Sequence, residues 1–310
     1  MAGGDPAKDG QAGPAILAGR SNLVLRVMSS LVLVPVAIAA AYFGGLVFLA
    51  FWAVAALGVL WEWDTLVCGS DRNRVLVIGA VALFAAALLL AFDWPGTAIA
   101  LVALGVFGVV IPATMVVLVT FGLDDLAHAA VCTMAPRIRA AWCAAGLVYA
   151  AALLIAPVLL RNDAAFGFAA IVFLFVVVWL TDIVAYFVGR AAGGPKLMVR
   201  VSPNKTWSGA IGGTLAGVIG GMVVARLFSL GAPAAIAVVA LGLSVISQAG
   251  DLLESAIKRQ FSAKDASSLI PGHGGLMDRL DGFVTAVVAA LAIGLIHGGG
   301  SAPARGLMVW

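Results

Sequence analysis

The sequence predicts an all-α, polytopic integral membrane protein of about nine transmembrane helices, and three observations carry that prediction. Of 310 residues, 63% are hydrophobic and only 11% charged, with a mean hydropathy of +1.12, which excludes an ordinary soluble domain. Apolar segments recur at roughly the 20 residues needed to cross about 30 Å of hydrocarbon. The basic residues are segregated. With the N-terminus inside, fifteen of the eighteen Lys and Arg fall on the inner side, and only Arg161, Arg226 and Arg305 on the outer. Such asymmetry predicts a cytoplasmic N-terminus and an odd number of spans.

Residues 1–21 are rich in Gly, Ala, Pro and Asp without periodicity, and read as a disordered cytoplasmic tail. Nine apolar segments follow, at approximately 23–42, 46–62, 75–92, 97–119, 141–160, 167–187, 208–228, 232–253 and 282–298. Residues 22–180 are read as a scaffold of transmembrane helices. Trp61-Glu62-Trp63 closes the second span, and its tryptophans suit a headgroup interface. Pro112 is expected to kink or break the fourth span. The 120–140 connector is read as lying on the membrane surface. Cys68, Cys132 and Cys143 are odd in number and lack metal-ligand spacing, so they read as reduced, small apolar residues.

Polarity returns in residues 181–298, the predicted catalytic region, with cytoplasmic loops at 188–207 and 254–281 and a short tail at 299–310. Asp182, Tyr186 and Arg190 share a helix face at i, i+4 and i+8. Ser202-Pro203-Asn204-Lys205-Thr206-Trp207 precedes the seventh span, where a lysine at a helix N-terminus suits phosphate binding. Gly209, Gly213, Gly217 and Gly221 then form a stripe for close helix packing, within the subunit or between subunits.

The densest polar stretch is Gly250–Gly282, with Asp251, Glu254, Asp265, Asp278 and Asp281 beside Lys258, Arg259, Lys264 and Arg279. Charges beside apolar spans are costly unless paired or solvated, so they are functional candidates. Asp251, Ser255 and Lys258 fall on one helix face, and Asp278 and Asp281 are three apart. Paired carboxylates repel unless a cation lies between them, and Mg²⁺ takes one or two carboxylates plus phosphate oxygens. Pro271-Gly272-His273-Gly274-Gly275 lies between, with glycines that let backbone amides converge on an anion. Together these predict phosphate chemistry at a membrane surface.

The run from Ser255-x-Ile257-Lys258-Arg259 through Lys264-Asp265-x-Ser267, Ile270-Pro271-x-His273-Gly274-Gly275-Leu276 and Asp278-Arg279-Leu280-Asp281 resembles the signature of the phosphatidate cytidylyltransferase (CDP-diacylglycerol synthase) family. Ser202-Pro203-x-Lys205-Thr206-Trp207 resembles its second block. Asn204 and Ser208 depart from the basic residue and the Glu common at those places. The resemblance implies CTP + phosphatidate → CDP-diacylglycerol + diphosphate. It also implies a requirement for Mg²⁺, with a second cation left open, a homodimer, and an active site open to the cytoplasm from the inner (plasma) membrane.

The expected roles follow. Asp251 and Asp278, with Asp281 and Asp182, hold Mg²⁺ on the CTP phosphates. Lys205, Lys258, Arg259, Lys264 and Arg279 neutralise nucleotide and lipid phosphates. Ser202, Thr206, Arg190, Ser255, Gly274 and Gly275 complete the phosphate site, Asp265 belongs to the catalytic stretch, and His273 orients a phosphate or protonates the leaving group. Two alternatives are carried: a CTP-dependent polyprenol kinase, and a transporter, since acids in spans also mark ion pathways. No nucleic-acid motif is found.

Overall fold

The computed structural model describes residues 31–68, 72–121, 126–267, 269, 274–298, 300 and 302–310, those at 111–121 and 126–137 as backbone. The predicted tail at 1–21 and His273 lie outside the described residues. The chain is a polytopic helical bundle: α1 (Leu31–Phe43), α2 (Gly45–Val67), α3 (Arg72–Ala91), α4 (Pro95–Phe121), α5 (Leu126–Arg161), α6 (Gly167–Ala192), α7 (Trp207–Leu227), α8 (Pro233–Gln260), α9 (Met277–His297) and α10 (Pro303–Met308). Among the described residues, α2, α3, α6, α7, α8, α9 and Ile138–Arg161 of α5 are long and apolar enough to cross a membrane. Leu31–Phe43 and Pro95–Val110 are shorter apolar helices. Seven full-length helices and two shorter ones thus stand where nine spans are predicted.

Four local expectations change. Helix α4 continues past Pro112 to Phe121. The 126–140 part of the predicted surface connector is the first turns of α5, a 36-residue helix. The 188–207 loop is helical to Ala192 and then forms an antiparallel hairpin, β1 (Lys196–Met198) with β2 (Ser202–Thr206), Lys196 opposite Thr206. Helix α8 runs to Gln260 and α9 begins at Met277, so Glu254, Asp278 and Asp281 are helical residues, not loop residues.

The core is aromatic and aliphatic. Trp52 stacks on Phe283 at 4.9 Å, and Phe175 lies 5.4 Å from the same Phe283 ring, joining α2, α6 and α9. Cys68 and Cys143 form a disulfide between α2 and α5, with Cα atoms 5.9 Å apart, which corrects the expectation of reduced cysteines for these two. Packing brings together residues 75 apart in sequence, a separation that carries no spacing signal.

The α7 glycine stripe packs within the chain. A Cβ on Gly209 would stand 2.6 Å from the Ala185 carbonyl, and one on Gly221 would stand 2.8 Å from the Phe173 ring. Helix α6 therefore occupies the stripe, and the small residues serve the fold. Buried polar groups in this layer satisfy one another: Thr181 and Ser244 hydroxyls meet at 2.7 Å, and Gln248 Nε2 donates to Thr214 Oγ1 at 2.9 Å.

Candidate functional site

The polar residues converge at one end of the bundle, where α2, α6 and α8 finish, α7 and α9 begin, and the hairpin sits. Thr206 is the N-cap of α7: its Oγ1 accepts from the Gly209 amide at 3.2 Å. Ser208 Oγ donates to the Gly193 carbonyl and lies 3.0 Å from Thr206 Oγ1. The residue that departs from the expected Glu is thus a structural closure of the hairpin base.

The hairpin points Lys205 at α8, where its ammonium pairs with Asp251 Oδ2. Ser255, one turn along, donates to Asp251 Oδ1 at 3.5 Å. The third residue of that predicted face turns elsewhere. Lys258 Nζ lies 2.5 Å from Asp278 Oδ1 and 2.6 Å from Glu254 Oε2. Glu254, 2% exposed, thus shares the Lys258 ammonium with Asp278.

Asp278 is the most constrained acid. Beyond Lys258, its Oδ2 accepts from the Gly275 amide at 2.9 Å and the Ala266 amide at 3.1 Å. Gly274, at φ +86°, makes the turn that aims the Gly275 amide. The anion that this predicted nest meets is the protein's own Asp278.

Asp281, 9% exposed, accepts from the Gly282 amide at 2.7 Å and lies within electrostatic range of Asp251, Glu254 and Asp182. Asp182 in turn lies within electrostatic range of Asp251, Lys205 and Arg279. A close crossing makes this possible: a Cβ on Gly250 would stand 2.8 Å from the Asp281 carbonyl, and one on Gly282 would stand 3.0 Å from the Ser247 carbonyl. Two glycines, each adjacent to an acid, let the α8 and α9 backbones approach closely beside Asp251 and Asp281.

The other candidates stand further out. Arg190 Nη1 donates to the Tyr186 hydroxyl at 3.1 Å, so the shared α6 face forms that pair. Arg259 Nη1 donates to the Ala263 carbonyl at 3.3 Å and closes the end of α8. Ser202 lies at the hairpin turn opposite Met198. Lys264, Asp265 and Arg279 are exposed at the rim.

Two residues with no role assigned from sequence belong to this end. Glu254 stands among the acids. Glu62 of α2, fully buried, accepts from Ser267 Oγ at 2.5 Å and from the amides of Leu276 at 2.8 Å and Met277 at 2.6 Å. The sequence signal was present, a carboxylate in an apolar helix, but the flanking tryptophans offered an interfacial reading.

The site is rich in hard oxygen donors. Asp182, Asp251, Glu254, Asp278 and Asp281 share this end with Lys205, Lys258 and Arg279, five carboxyl groups to three cationic side chains, with Lys205 paired to Asp251 and Lys258 to Asp278. Among the described residues, no group of three or more His, Cys, Asp or Glu stands close enough to hold a metal by itself. This donor set suits Mg²⁺ in the manner common for nucleotide enzymes, with one or two carboxylates and the remaining positions left to phosphate and water.

Acids, lysines and amides gather at one end of an apolar helical bundle, and the chain belongs to the Cytidylyltransferase family, matched over residues 24–296. It is 41% identical over 276 residues to the Brucella abortus protein named phosphatidate cytidylyltransferase, covering 89% of this chain and 94% of that one. Proteins of the same name from Bacillus subtilis and Staphylococcus epidermidis are each 42% identical, over 130 and 119 residues, covering 40% and 38% of this chain and 47% and 46% of theirs.

Proposed function

We propose that the protein is a phosphatidate cytidylyltransferase: an enzyme that joins the cytidylyl group of CTP to phosphatidate, giving CDP-diacylglycerol and diphosphate for phospholipid synthesis. The observation that carries this reading is the near-full-length match to proteins of that name, together with the acid–lysine cluster at the end of a membrane bundle.

The phosphatidate phosphate is the nucleophile. Its second pKa is about 6, so it is largely anionic near neutrality and needs no strong base. One of its oxygens bonds to the α-phosphorus of CTP as the bond to the β,γ-diphosphate breaks. The difficulty is electrostatic, since two anions must meet and a third must leave. Of Asp251, Asp278, Asp281 and Asp182, one or two carboxylates would hold Mg²⁺, and the ion would supply charge neutralisation for the CTP phosphates. Lys205 and Lys258, preset against Asp251 and Asp278, transfer their ammonium groups to substrate phosphates on binding. Arg279, Lys264, Arg259 and Arg190 form the cationic rim, Ser202 and Ser255 offer hydroxyls, Thr206 shapes the site as the cap of α7, and Gly274 and Gly275 hold Asp278 in place. Asp265 supports the segment before α9, and His273 orients a phosphate or protonates the departing diphosphate.

The active site and N-terminus face the cytoplasm across the plasma membrane, where CTP is found, and the working unit is a homodimer. The test uses purified protein in detergent with dioleoyl phosphatidate, α-³²P-CTP and Mg²⁺. Label entering lipid, and ceasing with EDTA, is the expected result. Label confined to water-soluble nucleotide overturns the reading and points to γ-phosphoryl transfer.

A further inference from the structure

A helix that begins inside a protein leaves its first amides without intrahelical partners. Leu276, at the N-cap of α9, offers no side-chain cap. Its own amide and that of Met277 donate instead to Glu62, a carboxylate on α2 more than 200 residues earlier. Oε1 accepts from Leu276 and from Ser267 Oγ, and Oε2 accepts from Met277. Glu62 therefore grips both sides of the segment that turns from α8 into α9. A Cβ on Gly275 would stand 3.0 Å from Oε2, so the glycine also lies against it. The next residue after Met277 is Asp278, whose Oδ2 accepts the Gly275 and Ala266 amides within the same clamped segment.

We infer that Glu62 is a positioning residue for catalysis: a tertiary cap, donated by the scaffold half, that sets where Asp278 and Gly275 stand relative to Lys258. This inference rests on the cytidylyltransferase reading for its kinetic arm but not for its structural one. A charged acceptor suits the site, because three donors converge on one buried group beside a helix N-terminus. Gln at this position keeps the shape but replaces one oxygen with a donor facing donors.

The experiment compares wild-type protein with Glu62→Gln and Ser267→Ala, following detergent melting, steady-state kinetics and amide exchange. Glu62→Gln is expected to lower kcat at least tenfold with KM for CTP within about twofold, and to speed exchange at Leu276 and Met277. Ser267→Ala is expected to lower kcat about threefold with unchanged melting. A merely structural residue would shift melting and the folded fraction without lowering kcat per folded molecule. Wild-type kcat and wild-type exchange in both variants overturn the inference. If Glu62→Gln does not fold, Ser267→Ala decides alone: lowered kcat supports the clamp, and unchanged kcat and exchange overturn it. Wild-type protein that makes no labelled lipid defeats the functional reading, while the exchange measurements still judge the clamp.

Discussion

Lys258 stands between two acids, Glu254 on its own helix and Asp278 on the next, and pairs with both. Removing the ammonium leaves two carboxylates in a largely buried place. Lys258→Met is expected to destabilise the protein by about 3–5 kcal/mol, the usual cost of breaking a buried pair from one side, measurable by thermal melting in detergent. Asp278→Asn removes the charge while keeping one acceptor for the Gly275 and Ala266 amides. The fold is expected to survive, and turnover to fall by about 100-fold or more. An Asn variant with wild-type activity would remove Asp278 from the metal and phosphate site. At this scale the sequence was informative. Asp182, Asp251, Asp278, Asp281, Lys205 and Lys258 stand out because charges in apolar helices need a reason. Their pairing was not legible. Spacing suggested Lys258 beside Asp251, whereas the lysine reaches Asp278 and Asp251 takes Lys205 from the hairpin.

Helix crossings decide whether those groups meet. Gly250 and Gly282 sit where α8 and α9 touch, with no room for a Cβ between backbones. Gly250→Val is expected to separate the helices and lower turnover by about 100-fold, because a displacement near 1 Å suffices for such a loss. Gly217 is closed against Val177 and Ser244, so Gly217→Leu is expected to cost about 1–3 kcal/mol by overpacking, read as a lower melting temperature. A Gly217→Leu protein that melts like wild type but runs as a monomer would instead place the stripe at a subunit interface. The hairpin escaped the sequence reading because strands of three and five residues, one containing Pro203, carry no alternating pattern long enough to detect.

Across the whole molecule, the two ends differ in charge. Arg161 and Arg226 lie at the far end of their helices from Lys205 and Lys258, and Arg161 there donates to the Ala41 carbonyl at 2.5 Å and the Tyr42 carbonyl at 3.1 Å. In a cysteine-free background, Ser262→Cys, just beyond α8, is expected to react with an impermeant maleimide only from the cytoplasmic side. Ser229→Cys, between α7 and α8, is expected to react only from outside. The reverse pattern would invert the proposed orientation.

The sequence by itself determined the class of the molecule and the end of the bundle where chemistry gathers, because hydropathy and charge are local properties that survive without a fold. Only the tertiary structure decided how the parts meet. The Cys68–Cys143 bond, the occupation of the glycine stripe by α6 and the reach of Glu62 to the start of α9 each join residues tens to hundreds of positions apart. Such contacts depend on the distances between helices, which packing sets and no local pattern records.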